Sequence, residues 1–117
     1  MKKLAAALAL GAVLMTAGAA YGQQMMQAAF GNTLVITGAD GQVVLYHFNA
    51  DNTYDLVLPD GRTIPGTYAI NGNQICLTPA GGQQGCTDYV GDKNVGDTWT
   101  QHATDGSTIS ITLRAGR

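Results

Sequence analysis

The stretch QVVLYHFNADNTYDLVLPDGRTIPGTYAINGNQICLT, residues 42–78, decides the fold. Branched and aromatic residues come in short runs, and each run stops on Asn, Asp, Gly or Pro. In TYDLVL (53–58), Tyr54, Leu56 and Leu58 share one face and Asp55 takes the other. That period of two marks a half-buried strand. PDG then closes the run as a compact turn. Asn71-Gly72 is the strongest hairpin signal, because both central positions of a type I′ turn need positive φ. RTIPGTYAI (62–70) carries Pro65 and Gly66 inside a strand-like run, which predicts a sheet edge, a bulge or a barrel corner.

The same grammar extends in both directions. NTLVIT (32–37), CTDYV (86–90), DTWTQHA (97–103) and STISITLR (107–114) read as further strands, the last with Ile109, Ile111 and Leu113 alternating with Ser110, Thr112 and Arg114. About eight short strands at near-regular spacing indicate an all-β antiparallel meander. A closed barrel is preferred over a sandwich, because every connection is short and closure removes exposed edges. The phrases ADGQVVL, PDGRTIP and TDGSTIS recur at uneven spacing, so they are shared turn chemistry and not a solenoid repeat.

Upstream, Lys2 and Lys3 precede the apolar run LAAALALGAVLMTAGAA (4–20), and the text turns polar at Gln23. This is the pattern of a cleaved signal peptide over residues 1–22. Ala20 and Gly22 are suited to the −3 and −1 positions; Ala17 and Ala19 give an alternative cut before Ala20. The apolar run falls short of the ~20 residues that span a bilayer. The expected product is one β domain over residues 23–117, periplasmic or secreted, with no membrane insertion after cleavage. It carries four basic residues against eight aspartates, net −4, and no glutamate. Asp favours turns where Glu favours helix interiors. The acidic balance and the lack of a basic cluster argue against nucleic acid as a partner.

Cys76 and Cys86 are the only cysteines, and an exported chain with two cysteines most simply holds one disulfide. They flank a glycine-rich loop on neighbouring strands and lack the C-x-x-C spacing of a redox pair, so they read as a structural clip. His47 and His102 lie in strands without metal-ligand spacing, and no metal or cofactor is expected. Asn49, Asp51, Thr53 and Asp55 imitate a calcium loop only until Tyr54, which stands where the loop needs glycine. No G-x-S-x-G turn is present, and the aspartates sit in turn phrases, so no catalytic residue is expected.

The aromatics Tyr46, Phe48, Tyr54, Tyr68 and Trp99 form the candidate binding face. Tyr46 and Phe48 share a strand face with Val44, while Val43, Leu45 and His47 share the other. Such a strand is either packed on two sides, or one of its faces lines a ligand cavity or meets a partner. QQMMQAAFG (23–31) is a mobile tail, a helical turn or an apolar plug under a barrel. Its Met25, Met26 and Phe30 form a candidate contact segment.

The phrases GNTL, FNADNTYDL, PDGRTIPGTY, ICLT and CTDY, spread over residues 31–90, resemble the pattern of small exported one-disulfide β-meander proteins of proteobacteria, most of them uncharacterised. The resemblance implies a compact β-meander and transfers no catalytic residue. Some small periplasmic protease inhibitors are similar in architecture. The expected function is a non-enzymatic exported β-barrel module that binds a small apolar ligand or an envelope protein. The alternatives are an inhibitor of a secreted protease or lysozyme, with residues 23–30 entering the enzyme cleft, and a structural envelope protein.

Overall fold

The computed structural model describes residues 24–117; the signal peptide expected over residues 1–22 lies outside them. A short helix, α1 (Gln24–Ala29), precedes eight strands: β1 (Thr33–Thr37), β2 (Val43–Phe48), β3 (Thr53–Val57), β4 (Thr63–Asn71), β5 (Gln74–Pro79), β6 (Gly85–Asp88), β7 (Thr98–His102) and β8 (Thr108–Arg114). All pair antiparallel in one sheet of order β6-β5-β4-β3-β2-β1-β8-β7. The sheet curls until β6 faces β7, giving a nearly closed all-β barrel.

Closure between β6 and β7 is made by side chains in place of a backbone ladder. Thr87 Oγ1 donates to the His102 carbonyl, and Gln101 Nε2 donates to the Asp88 carbonyl at 2.8 Å. Gly85 approaches Thr104, whose Cγ2 lies 3.1 Å from the position of a Cβ on that glycine. The three contacts fall on a single antiparallel register, so the seam is a splayed strand pair. Closure was expected to remove every edge; a narrow one remains here, because β6 is short and side chains occupy the gap.

Four hairpin turns are built identically. Residues 38–42, 49–53, 58–62 and 103–107 each place Asp third and a positive-φ residue fourth: Gly41, Asn52, Gly61 and Gly106. In each turn the fourth N–H donates to the first carbonyl, as in Gly61 to Leu58 at 2.9 Å. The Asp side chain accepts from the fifth N–H, as in Arg62 to Asp60 at 3.0 Å. A type I turn followed by a left-handed residue is a standard three-residue hairpin. At Asn71-Gly72 the structure differs from the type I′ expectation. Asn71 pairs with Gln74, so Gly72 and Asn73 are central, and positive φ falls on Gly72 alone. That is the type II′ arrangement, which needs glycine only at its first central position.

Pro65 and Gly66 mark neither an edge strand nor a bulge. β4 sits inside the sheet, and its register with β3 runs unbroken from Thr53↔Thr67 to Val57↔Thr63. The Pro65 carbonyl accepts from Ala80 just where β5 ends, so the missing proline N–H interrupts no ladder. Gly66 is required by contact. A Cβ there would press into the Tyr54 ring and lie 2.7 Å from the Thr78 carbonyl oxygen. Gly66→Ala is therefore expected to lower stability by about 1–3 kcal/mol through overpacking, measured as a shift of the urea midpoint.

The core fills the end of the barrel nearest α1. Met25, Met26 and Ala29 are buried there against Leu34, Phe48, Tyr89, Trp99 and Leu113. A helix this short is unstable alone, and the barrel supplies acceptors for its first free N–H groups. Met25 N–H donates to the Gly91 carbonyl at 3.0 Å, and Met26 N–H to the Tyr89 hydroxyl at 3.3 Å. Gly31, at φ 78°, ends the helix. The Arg117 guanidinium ties the same end together through the Phe48 carbonyl, the Asn32 carbonyl and Asn49 Oδ1.

Candidate functional site

Strand alternation sends Leu34 and Ile36, Val44, Tyr46 and Phe48, Ile75 and Leu77, Trp99 and Gln101, and Ile109 and Ile111 to the inside. The side chains do not fill that space. A cavity of about 330 Å³ remains, at the lower end of the ~300–1,000 Å³ of small-molecule sites. Met25, Phe48 and Tyr89 form its floor. Its rim lies at the far end, where the β1–β2 turn brings Asp40 and Gln42 and the β7–β8 turn brings Ala103 and Thr104.

The hollow has a local cause. An eight-stranded barrel is just wide enough for side chains to fill. Here the bulk is unevenly shared. Phe48, Tyr54 and Tyr68 crowd the β2–β4 side, with Phe48 5.1 Å from Tyr68 edge to face and 5.8 Å from Tyr54. On the flanking strands β1 and β5, and on β8, the cavity wall is built from medium aliphatic chains.

Of the candidate binding face, Tyr46, Phe48 and Trp99 line the cavity, whereas Tyr54 and Tyr68 lie behind it in the aromatic cluster. Tyr68 is anchored by its hydroxyl, which donates to the Asn49 carbonyl at 2.8 Å. Of the candidate contact segment, Met25 and Met26 are buried under the barrel and Phe30 is half-buried against the core. β2 is not packed on two sides. Its inner face lines the cavity, and on its outer face Val43 is 41% exposed.

Several cavity residues escaped sequence reasoning, Gln101 above all. Its Oε1 accepts from Trp99 Nε1 at 2.9 Å while its amide nitrogen bridges the seam. The available signal was the period of two in β7, which puts a lone amide on the same inward face as Trp99.

The remaining chemistry-bearing residues stay apart. His47 lies on the outer face opposite Asp55, and partial burial followed by the nearby Arg117 lowers its pKa. His102 is exposed on β7. Asp51, Asp60 and Asp105 are held below the usual carboxylate range by the backbone and side-chain donors of their own turns. In the loop between β6 and β7, Asp97 Oδ2 accepts from the Asn94 N–H, and Asn94 Oδ1 accepts from Gln24 Nε2. Among the described residues no three His, Cys, Asp or Glu side chains converge on a metal position, and no helix is long and apolar enough to cross a membrane.

Burial, then the neighbouring Tyr54, pushes the Tyr46 phenol from 10.0 to about 12. Burial also raises Tyr54, Tyr68 and Tyr89. A phenol held neutral in the fold contributes stability that is fully present below pH 10 and is lost as pH rises from about 10 to about 12. Tyr46 alone accounts for about 3 kcal/mol of that loss. Urea midpoints are expected to fall steeply between these pH values, and Tyr46→Phe to flatten the fall.

No family model matches this chain, and neither the curated proteins nor the solved structures hold a match.

Proposed function

We propose that this protein is a non-enzymatic binding module that is exported to the periplasm or beyond and takes a small apolar ligand into its barrel. The cavity carries this reading: aliphatic and aromatic walls, a closed floor and a polar rim. The Cys76–Cys86 bond is compatible with an oxidising compartment and agrees with the expected leader. The inhibitor alternative ranks behind, because a cleft-inserting segment requires Met25 and Met26 to leave the floor they now form.

The test uses the neutral apolar dye N-phenylnaphthylamine, whose emission rises in apolar surroundings. Wild-type protein is expected to brighten it. Ile36→Trp, which fills the cavity from mid-wall, is expected to bind it about tenfold more weakly at unchanged Tm. Native mass spectrometry of protein from its own host is expected to show an added small mass. A dye indifferent to the wild-type barrel, together with bare protein, overturns the reading.

A further inference from the structure

The interior is selective about charge. None of the four basic residues among the described residues lines the cavity. Arg62 pairs with Asp60 at 2.7 Å, and Arg114 is exposed on the outer face. Arg117 is bound to the Phe48 and Asn32 carbonyls, and Lys93 stands over the Trp99 ring, 5.6 Å from its centroid.

Three of the interior donors are committed as well. The Thr87 hydroxyl serves the His102 carbonyl, Gln101 serves Asp88, and Trp99 Nε1 serves Gln101. A carboxylate taken inside finds no cation among the residues that line the cavity, and a buried charge without a counter-charge is costly.

The rim has the opposite character. Asp40 accepts the Gln42 N–H through Oδ1 and keeps its second oxygen, and Gln42 and Thr104 also line the cavity. From Val44 at the rim to Phe48 at the floor, β2 rises roughly 13 Å, close to the length of an extended decyl chain.

We infer that the ligand is a single-chain amphiphile whose tail occupies the barrel and whose head group, uncharged or cationic, sits at the Asp40–Gln42 rim. A fatty-acid carboxylate is disfavoured, because no cation lines the cavity and its head would meet Asp40 at the rim. This rests on the interior being the binding site, and it adds the chemistry of the head.

Decanol, decylamine and decanoate share a tail and differ in the head. Trp99 is the only tryptophan in the chain and lines the cavity, so its emission reports occupancy without a label. At about pH 8, where amine and acid are both ionised, decanol and decylamine are expected to bind and decanoate to bind about tenfold or more weakly than decanol. Asp40→Asn is expected to weaken decylamine by a few-fold and decanol by less, since a rim charge acts through a partly solvated pair. Decanoate binding as well as decanol, or decylamine indifferent to Asp40→Asn, overturns the head-group assignment while the cavity reading stands. A Trp99 signal deaf to all three compounds overturns the cavity reading and this inference with it.

Discussion

Truncating Phe48 to alanine is expected to cost about 3–5 kcal/mol, a large part of the 5–15 kcal/mol that typically holds a domain together. The side chain is 3% exposed and ends β2 at the centre of the aromatic cluster. Its ring stacks on Tyr46 at 5.5 Å, tilts against Tyr54 and meets Tyr68 edge-on. Removing it deletes three aromatic contacts, each worth ~0.5–1.5 kcal/mol beyond its area, and leaves a void beside an existing one. Collapse to fill that void is hindered, because Tyr68 is tied to Asn49 and the floor to Gly91. Urea unfolding measures the loss. Phe48→Leu, which keeps most of the volume, is expected to recover more than half of it. A Phe48→Ala midpoint close to wild type means that the cluster repacks freely, contrary to this account.

Replacing both Cys76 and Cys86 with alanine is expected to cost about 3 kcal/mol, the chain-entropy value for closing a loop of this length. The two residues are directly opposed in the β5–β6 register, with Cα atoms 4.0 Å apart, and the bond lies on the outer face. The loss is expected to be uneven. β6 spans Gly85–Asp88, pairs with β5 on one side and meets β7 only through side chains on the other. Without its clip it is the strand with least to hold it. Hydrogen exchange at residues 85–88 is expected to accelerate before that of β1, β2 or β8, and the Trp99 response to decanol to weaken, since Thr87 and Asp88 line the cavity. Unchanged protection of β6 in the double variant contradicts the seam as the weakest edge.

Much of this was legible in the chain. Alternation in TYDLVL and STISITLR places their strands and faces, since a period of two is a local geometric fact about extended backbone. The three Asp-Gly phrases and NADN place four turns, since their hydrogen bonds run within five residues. The cysteines could be paired because no other pairing exists. Gly66 was legible only as an anomaly. A local rule treats glycine in a strand as a weakness, and its reason is a tyrosine on the next strand. The Met25–Met26 segment was ambiguous because so short a helix forms only when a tertiary surface supplies its partners.

The order of strands and turns, the clip and the likeness among the turns thus belong to the sequence, each written within a few consecutive residues. The hollow, its helical floor and its splayed seam belong to the tertiary structure alone. An interior volume is the difference between the width set by closing eight strands and the reach of side chains from six of them, and no stretch of chain contains both quantities.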